Sequence, residues 1–506
     1  MKAIYLKLFR LEIQRRQDSG SFLAAEKFLG SCQKWFKKPE YKAVACLERA
    51  NVNFWLGRWD ECLSLLDEAE LSEHLLEPDD KAYFYLLSAR LHQGYGDFTQ
   101  ALTFLEIASS EVESGNGIKR IEATLEMGAL FHRIGERERG HDFLENAGSQ
   151  LGETPDDSLS SRLAFEKGLV SVRDEQLAEA QGHFEQAMDL LGTNETPTVS
   201  KGEGLRFLGI LAALDSRPYD ALELQRKALT CFAALPYPLG CAKAYNSLGQ
   251  TCLQLGRNAE AQFFLQRAET ICREIGAEAD RAMILGKLGL VFSRQGQYEK
   301  AITYQKQDLA ISSSYGNYRA LAFSLRNLGL SYKAKGDLSK AVGHLRDSRD
   351  RFAELEDHAF QIKADLDLVD AFLGHDRLME AFGYLEDAQN LLELRLEVTA
   401  DHVNAIYFAG LVALKAENYH KSENLLWQAL EMSEAFSMQS RQADVHLQLG
   451  RLYLAKGEPD TSQTELLSAY RLAKAHSLND ILSGVIELLY ESDPDLLFQE
   501  ISQPTF

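Results

Sequence analysis

The chain has 506 residues, 45% hydrophobic and 25% charged, and carries a formal net charge of −21 from 54 basic and 75 acidic side chains. Binding to nucleic-acid backbones by counterion release needs a basic face, so this balance excludes a dedicated nucleic-acid binder. Charges interrupt the opening stretch MKAIYLKLFR and no apolar run reaches the roughly 18 residues of a membrane span, so neither a signal peptide nor a transmembrane helix is expected and cytoplasm is the default address.

From the N-terminus onward, a turn residue recurs at Gly20, Gly57, Gly96, Gly135, Glu175, Ser216, Gly256, Gly296, Gly336, Asp376, Glu417 and Gly457, with spacings of 37 to 41 residues. A fixed period of this size marks a repeat architecture. Glycine suits a tight turn because a positive φ costs it nothing. Each turn predicts a helix A before it and a helix B after it. Five residues past the turn the side chain is always small, from Ala25 and Cys62 to Ser422 and Ser462; seven before it stand Gly168, Gly209, Gly249, Gly289, Gly329 and Gly450, among others. Nine past it come large apolar residues such as Leu66, Leu105, Phe184, Leu265 and Leu466, and small ones return at twelve. Small residues in register let antiparallel helices approach, and a bulky residue between them fills the groove. Each unit leaves one face apolar, so neighbours must stack, and the expectation is a quasi-one-dimensional array in which each unit touches its neighbours.

Along that array, residues 1–191 form the first units. Residues 1–60 are basic, with 12 basic and 6 acidic side chains. Their aromatic group Trp35, Phe36, Phe54, Trp55 and Trp59 reads as core packing, most firmly for Trp59, with Trp55 near the turn as the member of an exposed docking patch if there is one. The seven cysteines show no CxxC pair and read as reduced core residues. The polar segment 192–202 is either a long inter-repeat loop, the favoured reading, or a hinge. Residues 203–478 form the central and C-terminal units, and within 201–350 basic residues outnumber acidic ones by 21 to 14. Asn479–Tyr490 reads as a capping helix, with a frayed tail to Phe506 inside the terminal segment 479–506.

Leu328-Gly329-x-x-Tyr332 with Gly336 and Ala341, and Ala180-x-x-x-Phe184 with Ala187, carry a resemblance to tetratricopeptide repeat (TPR) proteins over residues 5–475. The period near 40 rather than 34 and the missing helix-B proline mark the longer repeat of the Pins/LGN adaptors, kinesin light chain, the maltose regulator MalT and the Rap regulators. Gln305-Lys306-Gln307-Asp308-Leu309 leading to Arg326-Asn327-Leu328-Gly329 is most similar to the Pins/LGN type. The resemblance implies an all-α, right-handed superhelix, an α-solenoid of about twelve helix-turn-helix units plus the C-terminal cap. It also implies a non-catalytic scaffold for another protein or a peptide. The alternative is a peptide- or ligand-responsive regulator of a separately encoded effector, a protease or transcription factor.

No chemistry competes with that reading. Histidines and cysteines lack metal-ligand spacing, no cofactor is implied, and no nucleophile–base set is suggested by order, so no catalytic residue is named. Ser114–Arg120 lacks the spacing of a phosphate loop, and Gly202-x-Gly204 lacks the preceding strand of a dinucleotide site. The carboxylate pairs Asp365/Asp367 and Glu68/Glu70 read as solvated helix faces. In TPR solenoids helix A lines the concave groove, and by the 3.6-residue period its inner positions are Arg206, Lys243, Asn246, Gln250, Lys287, Arg294, Arg326, Asn327 and Lys333. Arg206, Lys287, Arg294, Arg326 and Lys333 are expected there without internal charge partners, ready for the carboxylates of an acidic or amide-rich segment that Asn and Gln hold by its backbone. Farther along, Lys363, Asp367, Asp370, Asn404, Tyr407, Asp444 and Arg451 give a mixed or acidic surface.

Overall fold

A computed structural model describes residues 22–32, 38–111, 117–174, 176–192, 197–215, 217–314, 317–395, 398–476 and 478–492. Among these residues there are 24 α-helices, one short 3-10 turn and no strand. The turn residues Gly20, Glu175 and Ser216, the aromatics Trp35 and Phe36, residues 114–116 of the Ser114–Arg120 segment, residues 193–196 and the tail fall outside them, as does the side chain of Cys32.

Two compact units divide the chain, Met1–Asn327 and Leu328–Phe506. In the first, α1 (Phe22–Cys32) precedes alternating A and B helices: α2 (Pro39–Trp55), α3 (Trp59–Glu70), α4 (Pro78–Tyr95), α5 (Phe98–Glu111), α6 (Gly117–Ile134), α7 (Arg137–Glu153), α8 (Asp157–Arg173) and α9 (Leu177–Leu191). The alternation continues through α10 (Val199–Leu214), α11 (Pro218–Ala233), α12 (Pro238–Gln254), α13 (Asn258–Ile275), α14 (Glu278–Arg294) and α15 (Tyr298–Ser314) to α16 (Tyr318–Lys335). Beyond it come α17 (Leu338–Glu354), α18 (His358–Leu373), α19 (Leu378–Glu393), α20 (Ala400–Lys415), α21 (Tyr419–Ala435), α22 (Gln439–Lys456), α23 (Pro459–Ala475) and α24 (Asn479–Ser492). The last covers the final face with Val485 and Leu489 against Leu466 and Tyr470.

The turns are left-handed where the spacing placed them. Gly57, Gly96, Gly135, Gly256, Gly296, Gly336 and Gly457 all have positive φ, and so do the non-glycine turn residues Asp376 and Glu417, at 57° and 59°. The residue after the turn then donates its N–H to the fifth carbonyl back in helix A, as Asp97 does to His92 (2.8 Å) and Asn418 to Ala413 (2.9 Å). These bonds satisfy carbonyls that a helix end would otherwise leave open.

Two of the sequence rows turn out to be one contact. A Cβ added at Gly249 would lie 2.6 Å from Leu265 Cγ, one at Gly450 2.7 Å from Leu466 Cγ, and one at Gly168 2.4 Å from the Phe184 ring. The small residue seven before the turn is thus the seat for the bulky residue nine after it. The row five after the turn is buried throughout, and its serines bond back across the hairpin: Ser422 donates to the Gly410 carbonyl (2.9 Å) and Ser462 to that of Gly450 (2.8 Å).

Three expectations need correction. In the first unit, contacts are not confined to neighbouring repeats: one apolar cluster joins Ala43–Leu91 residues to Leu222–Val291 residues. Trp55 packs edge-on against Tyr237 with ring centroids 5.2 Å apart, and a Cβ at Gly57 would stand 2.5 Å from Pro238. Small rotations added over several repeats bring the chain back onto itself, so Trp55 meets this chain rather than presenting a docking patch. Trp59 is core as expected, 2% exposed and donating to the Phe54 carbonyl at 3.2 Å. Finally, Asp365 does not lie on a solvated face. It is 0% exposed, accepts from Arg349 Nε at 3.1 Å, and burial pushes its carboxyl up to about 7 against the pull of that arginine.

Candidate functional site

Helices A of the first unit meet one another along an inner face, and polar side chains one repeat apart join them there. Arg90 on α4 pairs with Glu122 (2.5 Å) and Glu126 (2.7 Å) on α6, and Arg162 on α8 closes on Glu126 at 2.7 Å. Burial works to raise the Glu122 and Glu126 carboxyls, but these cations hold both well below the usual range. Charge-assisted bonds in so dry a setting are strong, and a lone partner there would be costly.

A second device recurs at the end of helix A. The arginine two residues before the turn reaches back to the preceding A helix: Arg173 donates to the His132 carbonyl (2.7 Å), Arg294 to the Leu253 carbonyl (2.6 Å), and Arg133 to Gln93 Oε1 (3.2 Å). A cation at a helix C-terminus also meets the negative end of the helix dipole. Arg294 therefore has a structural bond to a carbonyl, which an expectation framed only in charge partners did not include.

Midway along the unit, α10, α12 and α14 bring together Glu203, Arg206, Lys243, Asn246, Met283 and Lys287. Arg206 pairs with Glu203 at 2.6 Å, and Lys243 approaches the other oxygen of that carboxylate at 3.7 Å. Burial opposes ionisation of Glu203, yet the two cations keep its carboxyl below the usual range. Arg206 thus has an internal charge partner that the sequence expectation denied it. Glu203 occupies the same position of α10 that Lys243 takes in α12 and Met283 in α14, so reading the inner row for acids as well as bases would have found it.

Lys287 differs from its neighbours. Its Nζ donates to Asn246 Oδ1 at 2.9 Å, while Asn246 Nδ2 faces Met283 Sδ at 3.6 Å. Among the described residues no carboxylate pairs with it; burial, and then the nearby Arg206, pull its amine down to about 8. Gln250 lies one turn beyond Asn246 on α12 and is half-buried. Arg326 and Asn327 are half-buried on α16, and the Asn327 amide lies 3.3 Å from where a Gly286 Cβ would be.

Lys333 is the last of the nine, in the second unit, and it is also engaged: its amine pairs with Asp370. In that unit Lys363 lies 3.8 Å from Asp401, and Arg441 bonds Asn404 (3.0 Å), pairs with Asp444 (3.3 Å) and stacks 4.1 Å over the Tyr407 ring. The inner positions of this unit are largely paired among themselves. No group of residues with metal-ligand chemistry occurs among the described residues, and no described helix is long and apolar enough to cross a membrane.

The tetratricopeptide repeat family model matches residues 202–274 and 280–354, so the chain carries TPR repeats. No curated protein matches the chain. Among solved structures, that of the APC/C hetero-tetramer Cut9–Hcn1 is similar at 14% identity and a TM-score of 0.54, covering 95% of this chain and 96% of that one. A Rap protein complexed with competence and sporulation factor is similar at 14% identity and a TM-score of 0.49, covering 79% and 99% of the two chains. A signal-transduction ATPase with a TPR sensor from Pyrococcus horikoshii gives 12% identity and a TM-score of 0.46, covering 83% and 67%.

Proposed function

For a chain that carries TPR repeats, we propose a non-catalytic interaction role in which the inner face around Arg206, Lys243, Asn246 and Lys287 binds a segment of another protein. The observation that carries this reading is Lys287. A half-buried ammonium with only an amide for a partner is costly in a folded protein, and methionine or glutamine would satisfy the fold better. A carboxylate of a bound segment would supply the missing partner, and Asn246 and Gln250 would hold its backbone as donors and acceptors. An acidic or amide-rich segment fits this arrangement. Of the nine residues proposed from the sequence, this reading leans on the middle group and leaves Arg294 and Lys333 to their structural bonds. The resemblance of this fold to Cut9, which assembles with Hcn1 in a hetero-tetramer, agrees with a partner-binding role.

The test is to capture partners on the full chain and on Lys287→Met side by side, then map the bound segment by hydrogen exchange. Segments lost from the variant and protecting α10, α12 and α14 support the reading. A partner held equally by both chains, or protecting only other helices, contradicts it.

One observation favours the regulatory alternative as a second reading. The Trp55–Tyr237 contact joins the first hairpin of the unit to a distant one, so a ligand that needed this contact opened would change which surfaces the unit displays. Ligand-dependent change in Trp55 accessibility distinguishes this regulator from a passive adaptor.

A further inference from the structure

Arg133 and Arg173 are two cations near one another that make no ion pair among the described residues. Both stand two residues before their turns, on α6 and α8. The bond from Arg173 to the His132 carbonyl (2.7 Å) carries its guanidinium to the end of α6, beside the residue that follows His132, which is Arg133 itself. Arg133 uses one N–H on the Gln93 side chain (3.2 Å). Among the described residues neither arginine has a carboxylate oxygen within 4.0 Å. Glu166 lies on the same helix as Arg173, and burial pushes its carboxyl up, with Arg162, Arg133 and Arg173 opposing.

The same stitch elsewhere shows what the fold alone requires. Arg294 also reaches back to a carbonyl, that of Leu253, but the next residue there is the neutral Gln254. At Arg173 the residue in that place is Arg133; burial, then the charge of Arg319 on α16 and, more weakly, those of Arg133 and Arg137 pull Arg173 down to about 10 against the opposing carboxyl of Glu166. Arg133 is exposed and Arg173 half-buried, and Glu166, the acid that bears on both, pairs with neither and is itself pushed up by burial, so an anion from outside would relieve the repulsion between the two cations.

We infer that Arg133 and Arg173 form an oxyanion site on the inner face of the first unit, which takes a carboxylate or phosphoryl group of the bound segment. Each guanidinium keeps N–H donors beyond its structural bond, and paired N–H groups match the geometry of either oxyanion. The inference rests on the reading of the inner face as a binding surface and adds a second anchor to it, separate from Lys287.

The experiment is calorimetric titration of the full chain with sodium pyrophosphate and, separately, with sodium citrate at matched ionic strength. The parent is expected to bind at least one of them, with Arg133→Gln and Arg173→Gln each weakened 10-fold or more. Arg294→Gln, which loses the same kind of stitch beside a neutral residue, is expected to bind as the parent does. Tighter pyrophosphate binding points to a phosphorylated segment, and tighter citrate binding to an acidic one. If the parent binds neither anion, if Arg133→Gln and Arg173→Gln both bind like the parent, or if Arg294→Gln weakens binding equally, the site is overturned. Should Arg173→Gln fail to fold, Arg133→Gln decides, since its bond is only to a side-chain amide. The Lys287→Met capture is independent of this outcome, so failure here leaves the groove reading to be judged by that test.

Discussion

Trp55 meets Tyr237 edge to face, 5.2 Å between ring centroids, and with Gly57 against Pro238 this contact closes the first unit upon itself. Aromatic pairs of this geometry contribute about 0.5–1.5 kcal/mol beyond their buried area. Trp55→Ala should therefore cost about 2–4 kcal/mol by chemical denaturation, less than a fully buried tryptophan at its worst. It should also increase hydrogen exchange in α12 and α13, far along the chain. A loss of stability confined to α2 and α3 would mean that the closure is not formed in solution.

The packing rows make a second test. Ala261 and Ala341 are 0% exposed where helices A and B approach most closely. Ala261→Leu and Ala341→Leu should each overpack that contact and destabilise by about 1–3 kcal/mol. Melting temperatures equal to the parent's in both variants would show that these helix faces are wrongly assigned.

Those rows explain how much of the fold was legible. Gly249 and Leu265, or Gly450 and Leu466, belong to one hairpin, so their pairing is written at a fixed sequence distance. The Trp55–Tyr237 closure is not, because it depends on inter-repeat angles summed over several units, which no periodicity records. The site was legible in part for a related reason. The 3.6-residue period found Arg206, Lys243, Asn246 and Lys287, but a search for cations passed over Glu203, which pairs with two of them. Asp365 was misread because a carboxylate two residues from another has the look of an exposed face, whereas its partner, Arg349, lies on a different helix.

Asp308 carries a pH dependence. Its Oδ1 accepts from Ser324 (2.8 Å) and Ser312 (3.1 Å), it is 4% exposed, and burial pushes its carboxyl from 3.8 up to about 7. Between those values the folded chain holds a proton that the unfolded chain has released, so this group makes stability fall as pH rises from about 4 to 7. Asp308→Asn keeps both acceptor bonds and should flatten that slope, with a gain on the order of 1–3 kcal/mol at pH 8. Parallel stability profiles for the two chains would contradict the assignment.

Glu417 sits at a turn with φ of 59°, where seven other turns use glycine. A side chain in the left-handed region costs roughly 1–2 kcal/mol, and Glu417→Gly should recover about 1 kcal/mol of it in urea unfolding. A destabilised variant would show that the Glu417 side chain contributes a contact worth more than the strain.

Lys287→Met provides the sharpest contrast between a residue kept for the fold and one kept for a partner. Removing a desolvated amine held at about 8 should raise stability at pH 7 by about 1–2 kcal/mol, a gain that narrows as pH rises from 8 toward 10.5 and the parent's folded amine loses its proton. The direct measurement is calorimetric affinity of the captured segment for the parent and for Lys287→Met at pH 7. The expected result is a loss of about 10- to 100-fold, the size of one charge-assisted bond of roughly 1.5–3 kcal/mol, in a variant at least as stable as the parent. Equal affinity in the two chains would contradict the proposal that the segment binds through Lys287.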